Sequence, residues 1–274
     1  MTIKRICIAA AVLLLLSAAF PAPAEEGEAL RARPAAPYCP EDTGTDKAFV
    51  SGEPDRPDPH RYPYSAVARI ETSFPCGCER TSTGFLVSSN VVLTGAGCMV
   101  CPEHGTQADR AVFCFGYRNK RSYICRYSGE WKAWTGNAFE NGYRAEEDYC
   151  AVRLREDVGL KTGWLGAKWE TDGTGPESCF AELIGYVDGT MCSNRGYAEA
   201  DGPGLLTHGI DGMAEAYGGP LITTDFYAVG INTGENGGKN VGCRMNSGVR
   251  EAFGHAAEYR EEGNGPEEER RGND

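Results

Sequence analysis

Residues Asp211 to Leu221 read Asp-Gly-Met-Ala-Glu-Ala-Tyr-Gly-Gly-Pro-Leu, and this stretch decides how the rest of the chain is interpreted. Gly218, Gly219 and Pro220 are residue types that form tight turns. The apolar run that starts inside the turn, Gly219 to Ile222, has the length of a short strand. The stretch therefore predicts a turn that leads directly into β-structure.

Short β-like runs of the same kind occur on both sides of this turn. Clusters of Gly, Pro, Asn or Asp separate many of them, and Gly totals 36 residues. Many short strands with turn signals and almost no helical period predict an all-β barrel or sandwich. One helix is expected at Gly248–Tyr259, with Val249 and Phe253 facing inward. The predicted strands are Tyr64–Ile70, Gly84–Val87, Val91–Thr94, Arg110–Phe115, Ser122–Tyr127, Tyr149–Leu154, Cys179–Tyr186 and Tyr227–Ile231.

The first 24 residues have the three parts of a secretory signal. Lys4 and Arg5 precede an apolar run from Ile6 to Leu16, and Ala22-Pro23-Ala24 provides a small-residue cleavage site. The sequence therefore predicts a secreted protein. Residues 25–58 are rich in Pro, Gly, Ala and charge and are interpreted as a pro-segment or linker. The folded domain is expected at residues 59–259, followed by a disordered charged tail at 260–274.

The overall charge restricts the classes of partner. The formal net charge is −12 at pH 7. An acidic surface of this kind repels phosphate backbones and anionic lipid headgroups, and it also keeps an extracellular protein soluble. Nucleic acid and membranes are therefore not expected as partners, and the protein is expected to be a monomer.

Four stretches, in order, carry a family resemblance, namely Val50–Arg56 with Tyr62–Ile70, Thr83–Cys98, Asp148–Leu154, and Asp211–Leu221 with Tyr227–Gly234. They resemble the chymotrypsin-like (trypsin-like) serine proteases, and in particular the bacterial glutamyl endopeptidases. Thr83–Cys98 is similar to the strand pair that ends in Thr-Ala-x-His-Cys, and Asp211–Leu221 to the Gly-Asp-Ser-Gly-Gly-Pro loop. The resemblance implies two six-stranded antiparallel Greek-key barrels with a C-terminal helix.

Carried over residue by residue, the resemblance places the catalytic triad at three positions. Asp148 is the retained acid, Gly97 stands at the histidine position, and Tyr217 stands at the serine position. The serine mechanism needs a base that takes the hydroxyl proton, and a glycine has no side chain to do so. The Tyr217 ring is expected to project into the space that a substrate carbonyl needs. Without its histidine, Asp148 is interpreted as a residual buried carboxylate held by backbone amides.

Two further family positions are also altered. Glu215 stands at the oxyanion-hole glycine, where a carboxylate would add negative charge beside a site built to receive it. Asn232 stands at the specificity-pocket histidine, so the positive group for an acidic substrate side chain would be absent. An equally good interpretation of Asn232 is a turn residue near Gly234.

Two other residues could replace the missing groups. His104, seven residues after Gly97, is either an exposed loop histidine, the favoured interpretation, or a base that swings back toward the cleft. Cys150, two residues after Asp148, is either an unusual nucleophile or, preferably, a buried or disulfide-bonded cysteine.

The cysteines allow two interpretations. Cys76-x-Cys78 and Cys98-x-x-Cys101 have the spacing of a tetrahedral zinc site. Export to an oxidising compartment favours disulfides instead, so neither a metal nor a cofactor is expected. The family resemblance implies a bridge from Cys98 to Cys78 or Cys76. Two further pairs are plausible on spacing, namely Cys114 with Cys125 and Cys179 with Cys192.

Together these observations predict a secreted pseudoprotease that has lost hydrolysis and acts by binding. Its partner would be an extracellular protein or peptide, such as a protease substrate or a protease inhibitor. Two alternatives stay open. One is a serine-type endopeptidase of glutamyl endopeptidase type with an unusual mechanism, and the other is a structural secreted module with a cysteine-bound metal.

Overall fold

A computed structural model of the chain describes residues 53–170, 177–210, 213 and 216–259, together with the backbone of β1 (Arg33–Pro34). The predicted signal segment 1–24, most of the predicted linker and the predicted tail 260–274 lie outside the described residues. The strands of the first half are β2 (Val67–Ser73), β3 (Glu79–Leu86), β4 (Val91–Thr94), β5 (Arg110–Phe115), β6 (Cys125–Tyr127), β7 (Trp131–Thr135) and β8 (Cys150–Leu154). Those of the second half are β9 (Gly163–Trp164), β10 (Gly166–Ala167), β11 (Ser178–Val187), β12 (Thr190–Ala200), β13 (Leu205–His208), β14 (Pro220–Ile222), β15 (Tyr227–Asn236) and β16 (Lys239–Arg244).

The first half forms an antiparallel sheet in the order β6-β5-β2-β3-β4-β8-β7. Its strands alternate between buried and less buried positions, as in β2, because successive side chains point to opposite faces. The sheet curls into a half-barrel. Within the described residues its two edge strands, β6 and β7, do not pair with each other.

The second half forms a closed antiparallel barrel of six strands in the order β15-β14-β11-β12-β13-β16. Pairing of β15 with β16 closes the ring, and β10 adds to β15 in parallel. The predicted all-β fold with two barrel-like sheets is thus confirmed. The first sheet differs from the prediction because it has seven strands and stays open.

Helical structure is limited to short turns and one C-terminal helix in the described residues. The predicted helix is confirmed as α2 (Ser247–Glu258), whose face of Val249, Ala252 and Ala256 is buried. Phe253 is only partly buried and packs against Trp169 at a ring distance of 5.7 Å. The remaining elements are α1 (Gly159–Thr162) and 3-10 turns at Tyr64–Ala66, Ala96–Cys98 and Ala145–Glu147. None of the described helices combines the length and apolar character needed to cross a bilayer.

The largest apolar core joins the two halves and α2. Phe85 and Leu93 of the first sheet, Ile184 and Ile231 of the second, and Val249 of α2 all belong to it and are fully buried. The two sheets therefore pack face to face across one core. The turns at Ala96–Cys98 and Ala145–Glu147 and the loop before β14 meet beside this core, and they carry the predicted triad positions.

Candidate functional site

Asp148 is the centre of the site. It ends the 3-10 turn that leads into β8, and its side chain is fully buried. The Ala96 backbone N–H, at the start of the opposite turn, donates to Asp148 Oδ1 at 2.7 Å. A buried carboxylate needs such donors, because an unpaired charge inside a protein is very costly.

Tyr217 supplies the main side-chain partner of this carboxylate. Its hydroxyl oxygen lies 2.6 Å from Asp148 Oδ1 and 2.8 Å from Oδ2, and it accepts the Gly97 backbone N–H at 2.9 Å. The expectation that the Tyr217 ring projects into the substrate space is therefore corrected. The ring turns inward and brings its hydroxyl to the acid.

The inward position of this ring depends on two glycines. A side-chain carbon added at Gly97 would lie 2.7 Å from the Tyr217 hydroxyl oxygen, and one added at Gly95 would lie 2.7 Å from the ring carbon that carries the hydroxyl. Such distances are far shorter than van der Waals contact. Gly97 and Tyr217 are consequently complementary, since the ring fills the room in which a side chain at position 97 would stand.

A second tyrosine covers the carboxylate from the loop between β7 and β8. The Tyr143 hydroxyl lies 3.0 Å from Asp148 Oδ2 and 3.1 Å from the Thr233 carbonyl oxygen, and its single proton satisfies one of them at a time. The Tyr143 ring stacks on Phe139 with centroids 5.8 Å apart. Sequence reasoning missed Tyr143, because it lies in a loop without a motif, five residues before the acid.

Burial controls the protonation of the central pair. It raises the pKa of Asp148, and the hydrogen bonds from Tyr217, Tyr143 and Ala96 oppose this rise without cancelling it. Burial also raises the pKa of Tyr217 well above its ordinary value, and the nearby Asp148 charge adds to the effect. Tyr217 is thus a phenol and not a phenolate at neutral pH, which makes it a poor nucleophile.

No imidazole of the described residues contacts the Asp148 carboxylate. All four histidines lie in the described part of the chain, and none forms a hydrogen bond to Asp148 or Tyr217. His104 is exposed, as favoured, but its Nδ1 faces cysteine sulfurs instead of the cleft. Cys150 is fully buried, and burial raises the pKa of its thiol, so it is not an activated nucleophile.

The Gly-Gly-Pro turn is held tightly against the first sheet. Gly218 has φ +82°, and a side chain there would overlap the Thr83 carbonyl oxygen. The Thr83 N–H donates to the Tyr217 carbonyl at 2.9 Å, and the Gly218 N–H donates to the Asn232 carbonyl at 2.8 Å. Only glycine suits both the backbone angle and the space at Gly218. The predicted oxyanion position, Glu215, lies outside the described residues.

Asn232 lies within β15 and is buried, so its interpretation as a turn residue is wrong. Its side-chain N–H donates to the Ala216 carbonyl at 3.1 Å, and its Oδ1 lies 3.2 Å from His208 Nε2. Because this oxygen can only accept, His208 carries its proton on Nε2. Burial lowers the pKa of His208, so the pair is uncharged and offers no cation to an acidic ligand.

The cysteine pairings proposed on spacing conflict with the strand register. Cys179 lies opposite Ala198, whereas Cys192 lies opposite Gly185. Six residues of strand, about 20 Å, separate the two cysteines, which is far beyond the reach of a disulfide. The Cys179–Cys192 pair is therefore wrong.

The other predicted disulfides are also not formed. Cys114 lies opposite Arg126 and Cys125 opposite Phe115, so the two cysteines point to opposite faces of the sheet. Cys98, expected to bridge to Cys78 or Cys76, is buried and lies 2.9 Å from the Thr94 hydroxyl. None of the ten cysteines that the structure describes is joined to another by a disulfide.

Comparison of the sequence with known proteins finds a distant relative. No protein-family model matches the chain. The sequence is 27% identical over 206 residues to the extracellular metalloprotease of Bacillus subtilis strain 168. The matched region covers 69% of this chain and 62% of that protein. The chain thus spans less than two thirds of the length of this curated relative.

Solved structures match over most of the described chain. A Glu endopeptidase structure has a TM-score of 0.63 at 14% identity, covering 76% of this chain and 99% of its own. A scabies mite inactivated protease paralogue has a TM-score of 0.56 at 14% identity, covering 75% and 98%. These likenesses establish the chymotrypsin-like fold that the sequence predicted.

Proposed function

We propose that this chain is a secreted pseudoprotease, which does not hydrolyse peptide bonds and acts by binding an extracellular protein or peptide. The observation that carries the proposal is the hydroxyl of Tyr217, which contacts Asp148 at 2.6 Å and 2.8 Å where the fold would seat an imidazole. The acid is therefore occupied by a group that neither accepts a proton readily nor attacks a carbonyl.

The loss of both groups has a large expected cost. In subtilisin, an unrelated serine protease, removing the nucleophile or the base alone lowers turnover by about 10⁶-fold, or roughly 8 kcal/mol of barrier. A buried, protonated phenol without an adjacent base recovers none of this. The described residues around Asp148 offer it only backbone amides and tyrosine hydroxyls.

Binding remains available to the same surface. Tyr143 is 42% exposed, stacks on Phe139 and covers the buried Asp148 carboxylate. Exposed aromatic rings held by stacking are frequent anchors in protein interfaces. The name of the scabies mite paralogue gives a precedent for an inactivated protease with this fold. Protein inhibitors and substrates of serine proteases are the partner class that such a surface suits.

Secretion is part of the proposal. The N-terminal segment has the charge, apolar run and small residues of a signal, and the Bacillus relative is named as extracellular. An acidic surface and partners outside the cell agree with this location.

A binding titration tests the positive half of the proposal. Protein inhibitors of serine proteases, immobilised on a sensor, should bind the wild-type chain, and Tyr143→Ala should weaken binding about tenfold or more. Tyr123→Ala is the matched control, because Tyr123 is 40% exposed in another loop and should have no effect. Equal losses in both variants, or no binding by the wild type across the panel, would refute this role.

A second candidate function is peptide hydrolysis by an unusual mechanism, favoured by the sequence likeness to an extracellular protease. A fluorophosphonate probe separates it from the first. We expect the native protein to stay unlabelled. Labelling of a single residue in the native protein, lost after heat denaturation, would favour the hydrolase.

A further inference from the structure

A group of metal-binding side chains lies outside the site described above. Cys76, Cys78, Cys101 and His104 bring their sulfur and nitrogen atoms within 4.8 Å of one another. Cys76 and Cys78 are half-buried, Cys101 is buried and His104 is exposed. We call these four residues the Cys3His cluster.

Two tight turns build the cluster. The tip of the β2–β3 hairpin carries Cys76 and Cys78 around Gly77, which has φ +88°, and the Phe74 N–H donates to the Cys78 carbonyl at 3.0 Å. The second turn starts at Cys101, whose N–H donates to the Thr106 carbonyl at 2.8 Å. Backbone hydrogen bonds thus hold the shape of each turn, and the two turns bring all four side chains to one place.

The distances fit a tetrahedral ion. His104 Nδ1 lies 3.4 Å from Cys101 Sγ and 3.7 Å from Cys78 Sγ. At zinc bond lengths of about 2.3 Å to sulfur and about 2.0–2.1 Å to nitrogen, two ligands of a tetrahedron lie roughly 3.6 Å apart. The two observed values lie on either side of this distance.

A neighbouring group supports the sulfur ligands from outside. The Thr106 hydroxyl donates to Cys76 Sγ at 3.4 Å. Hydrogen bonds to ligand atoms are usual around protein metal sites, where they orient the ligands and stabilise their charge. Arg80 lies nearby as well and pairs at 3.6 Å with Glu103, which precedes the histidine.

From this geometry we propose that the chain binds one structural Zn²⁺ through Cys76, Cys78, Cys101 and His104. Three thiolates and an imidazole are the donor set that zinc prefers among the common divalent metals. Four protein ligands leave no open position for water or substrate, so the ion stabilises the fold and performs no chemistry. A disulfide would use two of the three sulfurs and leave the third sulfur and the imidazole without a role.

The proposal replaces the expectation of disulfides and no metal at these cysteines. The zinc pattern that the sequence suggested combined Cys76-x-Cys78 with Cys98-x-x-Cys101. In the structure the Cys98 sulfur lies against the Thr94 hydroxyl and is not part of the cluster. His104, separated from Cys101 by two residues, supplies the fourth ligand. The spacing Cys-x-Cys followed by Cys-x-x-His was readable from the sequence, although the place where the turns meet was not.

The ion would tie the hairpin tip to the segment after Gly97. Pro102, next to Cys101, lies 3.3 Å from the point where a Gly97 side chain would begin. Removing zinc should therefore loosen residues 96–109 and leave the second barrel unchanged. Hydrogen exchange with and without a chelator measures this difference directly.

Metal analysis of the full-length protein, purified without chelators, tests the site. We expect one zinc per chain and an X-ray absorption spectrum with three sulfur ligands and one nitrogen. His104→Ala and Cys78→Ser should weaken zinc binding more than about tenfold in competition with a chelator. Cys125→Ser is the control, because Cys125 is a half-buried cysteine outside the cluster and should not change zinc affinity.

Three results would overturn the proposal. The first is wild-type protein without stoichiometric zinc, whether its thiols titrate as free or as a disulfide among the three cysteines. The second is a different metal or ligand set in the absorption spectrum. The third is unchanged zinc affinity in His104→Ala. Because the His104 side chain is exposed, this variant should fold, and it therefore tests the site even if Cys78→Ser does not fold.

Discussion

At the scale of single residues, the site is explained by the fit between Gly97, which has no side chain, and the ring of Tyr217. Gly97 leaves a space that begins at the backbone, and Tyr217 fills it from the neighbouring loop. The hydroxyl then satisfies both Asp148 and the Gly97 N–H. Without such donors the buried Asp148 carboxylate would keep an unmet hydrogen-bonding need.

The first prediction concerns Gly97→Ala. The added methyl group would meet the Tyr217 hydroxyl at 2.7 Å, so we expect a loss of about 1–3 kcal/mol in the free energy of unfolding. Urea denaturation measures this loss of stability. In a Tyr217→Ser background, Gly97→Ala should cause much less loss than it does in the wild type, because the ring is absent. Gly209→Ala is the control, since nothing lies near that position. Equal effects of the two single alanine variants would contradict the packing described.

The second prediction uses the raised pKa of Asp148. Because the folded state holds the proton more tightly than the unfolded state, whose pKa is near 3.8, the native chain binds more protons between the two values. Unfolding free energy should therefore fall as pH rises from about 4 through the folded pKa. Asp148→Asn should lack this dependence. Denaturation of the wild type and of Asp148→Asn at several pH values measures this dependence. A wild-type unfolding free energy that rises with pH relative to that of Asp148→Asn would contradict the prediction.

The residue scale also shows what the sequence could reveal about the site. Asp148, Gly97 and Tyr217 were identified from motif order, and all three do meet in the structure. The direction of the Tyr217 ring was wrong, because it depends on the space above Gly95 and Gly97 in three dimensions. The contribution of Tyr143 depends on how a loop folds back over the acid, which no local pattern encodes.

At the scale of elements, apolar strands were predicted well and polar strands were missed. The bounds of β4 and β5 agree with the prediction because both are short apolar runs with clear ends. β12 contains Asn, Arg, Gly and Glu, and it is a strand because β11 and β13 pair with its backbone on both sides. The strands that pair on either side decide that such a segment is a strand, and its own residue propensities do not.

The third prediction concerns the start of α2. The Asn246 side chain accepts the Val249 N–H at 3.0 Å, and its own N–H donates to the Glu146 carbonyl at 3.0 Å. It thus joins the helix to the turn that carries Asp148. We expect Asn246→Ala to lower the free energy of unfolding by about 1–2 kcal/mol. Asn246→Asp, which keeps the cap but not the donor, should lose less in urea denaturation, and the reverse order would contradict this role.

At the scale of the whole molecule, one shared core fixes the two barrels and brings three separate loops to one point. The fold class could be predicted because turn signals and strand lengths are local properties. The closed second barrel was expected only from the family resemblance, and the open first sheet was not expected, because closure depends on which edge strands find partners. The net charge of −12 makes nucleic acid and anionic lipid unfavourable partners for the molecule as a whole.

The most direct test of the central claim is turnover of a peptide library, including peptides with glutamate at the cleavage position, by the purified wild-type chain. Tyr217→Phe is the reference, because it removes the only hydroxyl at the nucleophile position and retains the ring. We predict that the wild type, the variant and buffer alone produce the same cleavage rate. Cleavage by the wild type above the buffer rate that disappears in Tyr217→Phe would contradict the account.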